Sequence, residues 1–240
     1  MIIDGTGLIA QAFRRGIQSE AHAYLFARGV ANSSCVDEEA YERERIMLTS
    51  AIGECRESGR KLIYLSGAPI HGTFVGPVTE ETMPKPITRY GRHQADCEEL
   101  IAASRVPYLV LRLANIVGSD ANPDQLVPSL VSQIRRGHVV VHGRAGRDLL
   151  NVQDLVRLTN SFIQVGTAHR VVNVASGICS PVPDIVRWLM ELLPASAQVD
   201  LVDTGEEQRF ETGLLRRVLG PAAVFSPEYP REVLAHYVSP

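Results

Sequence analysis

The stretch RYGRHQADCEEL, Arg89 to Leu100, sets a phenol and a carboxamide four residues apart, at Tyr90 and Gln94. On a helix that spacing puts both on one face. A tyrosine hydroxyl can give or take a proton, but its ordinary pKa of about 10 leaves roughly a thousandth of it ionised at neutral pH. A neighbouring cation would lower that value, whereas Gln94 is neutral and offers hydrogen bonds only. The pair is therefore suited to donating a proton and poorly suited to abstracting one. A second chemistry-bearing stretch opens the chain. DGTGLIA places Gly5-x-Gly7-x-x-Ala10 after an apolar run and at the head of a helix. Gly5 suits a tight turn, Gly7 a close backbone approach and Ala10 helix packing, and the helix N-terminus then offers free N–H groups to a phosphate. Asp4 stands at the mouth of this loop, where its carboxylate repels a phosphate. Arg28, ending the next strand in FARGV, is placed to offset it.

The elements that must position these residues alternate. The runs MII, AHAYLF, KLIYLSG, VPYLVLRL, HVVVHG and RVVNVAS read as strands. Between them, DEEAYERERIMLTSAIGECRESG, Tyr90 to Ser104, DQLVPSLVSQIRRG and a segment from about Pro183 to Leu193 carry helical spacing. Asp154 is expected to cap the helix that begins LVRLTNSF. Strand-helix alternation over this length predicts an α/β fold, a parallel sheet with helices on both faces. A dinucleotide-binding half runs β-α-β-α-β before it reaches the middle of such a sheet. Here the first helix passes almost directly into AHAYLF, so the usual second and third strands have no room and the sheet is shortened on that side. The acidic residue that ends the second strand in that half is missing with it, and Glu20 in the short connection is a poor substitute. Residues 1–175 are expected to form the nucleotide-binding core and 176–240, which are irregular and proline-marked, a smaller C-terminal substrate lobe in the same compact unit.

Composition narrows the functions. The chain has 240 residues, 45% apolar and 21% charged, with a formal net charge of −3. That is an ordinary globular balance, and it lacks the basic face a nucleic-acid binder needs. The longest apolar runs are broken by Arg112 and Asn115 and fall short of a membrane span. No secretory signal opens the sequence. Cys35, Cys55, Cys97 and Cys179 are scattered, as buried thiols of a cytoplasmic protein are. The seven histidines form no H-x-x-x-H or comparable pair, so no metal site is expected.

Taken together, IIDGTGLIAQAF, YLSGAPIHG, YGRHQADCEELI, LRLANIVG and RDLLNVQDLV resemble, in order and nearly in spacing, the extended short-chain dehydrogenase/reductase family from Met1 to about Ser176. FARGVANSS with the following YERE resembles an abbreviated branch found among sugar-biosynthesis proteins. The resemblance implies a Rossmann-like doubly wound sheet and an enzyme of the epimerase, dehydratase or ketoreductase kind, acting on a nucleotide-activated sugar with NAD or NADP. In the family a tyrosine is the acid/base, a lysine four residues on lowers its pKa and binds the nicotinamide ribose, and a serine or threonine orients the substrate oxygen. Tyr90 matches the first, Gln94 stands at the lysine position, and the hydroxyl position falls on Gly67, with Ser66 its neighbour. The implied cofactor set is Gly5, Thr6, Gly7, Leu8 and Ile9 with Ala27, Arg28 and Gly29, and the implied substrate residues are Asn115 and Arg147; His71, in the loop just after the strand, is placed to reach the same site. Arg147 matches an arginine that grips a diphosphate, against the simpler reading of an ion pair with Asp148. Arg209 is a further, speculative phosphate contact. Family members pair through two long helices, here Asp37 to Gly59 and Tyr90 to Ser104, which implies a homodimer. The altered positions keep open a second reading, the same scaffold without a redox step, either as a cofactor-free enzyme or as a binding or assembly partner.

Overall fold

The computed structural model of the chain describes residues 1–16, 22–30, 34–74, 76–119, 121–166 and 170–239. The elements run β1 (Ile2–Asp4), α1 (Leu8–Gly16), β2 (Ala23–Phe26), α2 (Glu38–Ser58), β3 (Lys61–Gly67), α3 (Arg89–Ala103), β4 (Tyr108–Leu113) and β5 (Asn115–Val117). They continue with α4 (Leu126–Arg135), β6 (His138–His142), β7 (Gly146–Asn151), α5 (Val152–Gln164), β8 (Arg170–Val174), β9 (Cys179–Pro181), α6 (Val182–Leu192), β10 (Gln198–Val202), α7 (Gly213–Leu219) and α8 (Tyr229–Val238). Strands β1, β2, β3, β4 and β8, in that spatial order, make one parallel sheet. Alternation along the strands divides the core. Ala23, Leu25, Ile63, Leu109 and Leu111 face one layer with Phe13 of α1 and Leu155 of α5. Tyr24, Phe26, Leu62, Tyr64 and Val110 face the other with Leu48 and Ile52 of α2 and Cys97 and Ile101 of α3.

The shortened side is plain in the topology. Strand β1, which sits inside the sheet of a complete dinucleotide half, is here an edge strand that, among the described residues, pairs with β2 alone. Arg14 covers part of that edge, its Nη2 donating to the carbonyls of Gly5 at 2.5 Å and Ile3 at 3.3 Å. Such a cover blunts an edge that would otherwise pair with another chain. The shortening also changes a crossover. The steps β1 to β2 and β2 to β3 go the same way along the sheet, yet α1 lies on one face and α2 on the other. The two units therefore have opposite hands. Since parallel β-α-β units are right-handed in nearly every case, and β2-α2-β3 and β3-α3-β4 share a face, β1-α1-β2 is the unit of the uncommon hand. In a complete half α1 leads outward to further strands; without them the chain must turn back over the same face.

Local chemistry fixes the helices that carry the site. Asp37 caps α2 by accepting from the Glu39 N–H, and Gly59, left-handed at φ 70°, ends it. Thr88 caps α3 by accepting from the Gly91 N–H. For α5 the cap is Asn151, which accepts from the Gln153 N–H, and not Asp154 as expected; Asp154 instead binds Arg157 and accepts from the Tyr229 hydroxyl. Beyond the main sheet, β5-β7-β9 and β6-β10 form two small sheets. Strand β9 pairs with β7 and β10 with β6, so segments on either side of Ala175 share hydrogen-bonded ladders. Among the described residues no helix is long and apolar enough to cross a membrane.

Candidate active site

The site is assembled where β3 ends and α3 begins. Ser66 and Gly67 close β3, and Pro69 starts a short 3-10 turn over Ala68–His71. The first turn of α3 packs on that turn so closely that a Cβ at Gly91 would lie 2.2 Å from the Pro69 carbonyl oxygen. Glycine after the tyrosine is thus what lets Tyr90 approach the strand end. One turn on, Gln94 Nε2 donates to the Tyr90 hydroxyl at 3.1 Å. Burial pushes the Tyr90 phenol well above its ordinary pKa, and the charge of Glu44 and the Tyr41 phenol push the same way, while the Gln94 hydrogen bond opposes them. The phenol is therefore protonated at neutral pH. Beside it, Ser66 Oγ and Gln94 Oε1 are buried with no hydrogen-bond partner among the described residues. Buried polar atoms are normally paired, so these two mark a place for a polar ligand. Gly67 has an extended backbone at φ −167°, and a Cβ there would meet nothing closer than 3.6 Å. The position has room for the hydroxyl the family carries.

These residues form the middle of a cleft of about 490 Å³. One end is lined by Ile9, Ala27, Arg28, Gly29 and Glu44, the other by Asn115, Leu126, Arg147 and Gln208. Of the residues expected to hold a cofactor, Ile9, Ala27, Arg28 and Gly29 line it, and Gly5, Thr6, Gly7 and Leu8 do not. Gly5 is needed for packing: at φ 146°, a Cβ would lie 2.3 Å from the Ala27 carbonyl oxygen. The Thr6 carbonyl accepts from Gln11, and Leu8 packs where a Cβ on Gly118 would lie, 2.8 Å away. Gly7 alone in the loop faces open space. Arg28 is held in an ion pair with Asp4, which also accepts from the Tyr24 hydroxyl at 3.0 Å. Asp4 is thereby neutralised, and Arg28 is spent on it. Glu20 lies outside the described residues.

The expected substrate residues divide. Asn115 lines the cleft and donates from Nδ2 to the Asp148 carbonyl at 3.1 Å. Arg147 lines it too, with Nη1 donating to the Gly146 and Glu206 carbonyls at 2.8 Å each. It does not pair with Asp148, whose carboxylate turns to the Ser176 N–H and hydroxyl and the Gly177 N–H. Burial pushes Asp148 up to about 6 against those bonds. His71, expected among the substrate residues, is 4% exposed, lies edge-on to Phe74, is not among the residues that line the cleft and has no partner on either ring nitrogen among the described residues. Burial, helped by the charge of Arg112, pushes it down to about 4, so it is a neutral core residue. Arg209 is exposed and paired with Glu207. Glu44 is the site residue that sequence reasoning missed: it accepts from the Val30 N–H at 2.9 Å and lines the cleft. Tyr41, Glu44 and Leu48 share helical spacing on the buried face of α2, and a carboxylate in that stripe was the available signal.

The cleft differs along its length: Ser66 Oγ and Gln94 Oε1 are unpaired among the described residues beside Tyr90, whereas Arg28 is in an ion pair beside the edge strand. Comparison with known proteins agrees with the architecture. The sequence profile of the NAD dependent epimerase/dehydratase family matches residues 4–175. GDP-6-deoxy-D-mannose reductase of Pseudomonas aeruginosa is 27% identical over 176 residues, 67% of this chain and 57% of the reductase. The dTDP-glucose 4,6-dehydratase of Streptomyces griseus is 24% identical over 212 residues, 82% of this chain and 65% of the dehydratase. The chain thus spans less than two thirds of either relative. Among solved structures, UDP-N-acetylglucosamine 4-epimerase from Methanobrevibacter ruminantium M1, in complex with UDP-N-acetylmuramic acid, superposes with a TM-score of 0.80 at 17% identity, covering 95% of this chain and 78% of the epimerase. MoeE5 in complex with UDP-glucose and NAD superposes with a TM-score of 0.75 at 20% identity, covering 90% of this chain and 78% of MoeE5. By the profile match over most of its length, and with a fold that agrees, the chain belongs to the NAD dependent epimerase/dehydratase family.

Proposed function

We propose that the protein is a ketoreductase-type member of its family, acting on a nucleotide-activated sugar. The observation that carries this reading is Tyr90: a half-buried phenol, raised in pKa, facing a cleft, with a neutral partner at 3.1 Å. Of the reactions open to the family, reduction of a keto sugar is the one in which the tyrosine need only give a proton to the developing alkoxide. Epimerisation and dehydration ask it to take one. Gln94 orients the phenol, and Ser66 Oγ, without a partner among the described residues, is left to hold the substrate oxygen. At the far end Arg147 faces a diphosphate, a role that suits its planar donor fork, and Asn115 lines the same end. Bound at the Tyr90 end, a reduced nicotinamide supplies a hydride. Of this chain's residues, Gln94 would hold it. The core and lobe divided near Ala175, pairing of two copies through α2 and α3, and a cytoplasmic setting belong to the same proposal.

Calorimetric titration with NADH, NADPH and reduced nicotinamide mononucleotide tests it. With only the nicotinamide end built, the mononucleotide is expected to bind within about 10-fold of the dinucleotides, a difference of about 1.4 kcal/mol. Binding of a sugar nucleotide such as UDP-glucose without any of the three at millimolar concentration would favour the reading without a redox step, for which the edge position of β1 and the Asp4–Arg28 pair are the supporting observations.

A further inference from the structure

Behind the cleft, α2 and α3 bring together a carboxylate, an imidazole and a thiol that no step above uses. His93 and Cys97 are four residues apart on α3 and so share a face. Glu44 meets them from α2. The three are 8%, 1% and 5% exposed for His93, Cys97 and Glu44. Their geometry is convergent. His93 Nε2 lies 3.2 Å from Glu44 Oε2 and 3.7 Å from Cys97 Sγ, and all three atoms fall within 4.8 Å of one another. Both neighbours address the same ring nitrogen. A thiol–imidazole–carboxylate relay uses the two nitrogens of the ring, one for each partner, so this is not a nucleophile's arrangement, and Cys97 is too buried to attack a substrate. Convergence on one point is what a metal ion requires. Tetrahedral zinc, with bonds of about 2.0–2.1 Å to nitrogen, 2.0–2.2 Å to oxygen and 2.3 Å to sulfur, sets the N···O edge at about 3.3 Å and the N···S edge at about 3.6 Å.

We propose that Glu44, His93 and Cys97 bind a zinc-class divalent ion, with a fourth position opening toward the cleft that Glu44 lines. The mixed nitrogen, oxygen and sulfur set suits a borderline-soft ion and excludes magnesium or calcium, which take oxygen. Outer contacts of the kind that hold metal ligands in place are present: Val30 N–H donates to Glu44 Oε2, and the Tyr41 ring lies 4.7 Å from that of His93. Binding releases two protons, the Cys97 thiol proton and the imidazolium proton that, against burial, the bonds to Cys97 and Glu44 keep on His93. The His-x-x-x-Cys spacing over 93–97 sets two of the ligands on one helical face, and the third comes from the buried stripe of α2. This inference stands apart from the proposed sugar chemistry, and its test does not use activity.

The test is cobalt(II) titration of the purified protein after chelator treatment, followed by X-ray absorption of the zinc-loaded form. One equivalent of cobalt is expected to raise a thiolate-to-metal charge-transfer band and the intense visible bands of a four-coordinate ion, both abolished by zinc. X-ray absorption should give one sulfur and a remainder of nitrogen and oxygen neighbours. Cys97→Ser should lose the charge-transfer band and weaken binding more than about 10-fold, while Cys55→Ser, buried elsewhere in the same layer, keeps both. Absence of the band in wild-type protein, its survival in folded Cys97→Ser, or a sulfur count other than one would overturn the site. The wild-type spectra decide the question even if the Cys97 variant does not fold.

Discussion

Gln94→Lys restores the cation that the family places beside its tyrosine, and its consequence can be worked from the geometry. Gln94 Nε2 lies 3.1 Å from the Tyr90 oxygen, and the side chain is 5% exposed. An ammonium at roughly 4 Å, in a medium of effective dielectric about 20, favours the phenolate by about 4 kcal/mol, an upper limit of about three pK units. Part of this is lost because the ammonium also feels Glu44, whose charge is one of the causes raising Tyr90. A fall of about one to two units is the expected net effect. Burying the ammonium costs stability, on the order of 1–3 kcal/mol. The assay is the near-ultraviolet absorbance of phenolate against pH, taken as the difference between Gln94→Lys and Gln94→Lys/Tyr90→Phe. One phenol should titrate before alkaline unfolding in the single variant and be missing from the double. Superposable curves would refute the reasoning, because position 94 would then have no hold on the proton of Tyr90.

Two further outcomes follow from the same region. His71 ordinarily titrates at 6.5 and is held down to about 4 by burial. As pH falls below about 6.5 the unfolded chain takes up a proton that the folded chain refuses, so stability is lost toward pH 4, by about 2 kcal/mol at pH 5 and at most about 3 kcal/mol in all. In His71→Leu this part of the slope should vanish with little loss at neutral pH, since neither ring nitrogen has a partner to leave behind; urea unfolding at pH 7 and pH 5 reads both, and an unchanged slope in the variant would count against the assignment. Gly67→Ser should fold with a stability change within about 0.5 kcal/mol, because the backbone is extended and the nearest atoms to a new Cβ are 3.6 Å away. A loss above about 1.5 kcal/mol in thermal unfolding would show that the room seen there is not usable.

Much of the architecture was already written in the order of residue types. Alternating apolar runs and helical stripes specify a parallel sheet between two layers, and the short connection after α1 could not hold two more strands, whatever the packing. The tyrosine–glutamine spacing placed both groups on one face because helical periodicity is local. What each group can do chemically was decided by tertiary contacts. Gly5 reads as a phosphate-loop glycine, but its need for a bare Cα comes from the Ala27 carbonyl on the neighbouring strand. Arg28 reads from its strand end as the offset to Asp4, twenty-four residues earlier, and the fold sets the two in an ion pair. His71 sits in a loop of polar and proline residues, yet the fold closes over it, and burial removes its charge. Glu44 and His93 lie on different helices, and nothing in either segment's pattern states that the two helices pack with those positions in register. Periodicity is a property of neighbours along the chain and survives in the sequence. Charge state, hydrogen-bond partners and metal geometry depend on atoms brought together from distant segments, and the folded packing alone supplies them.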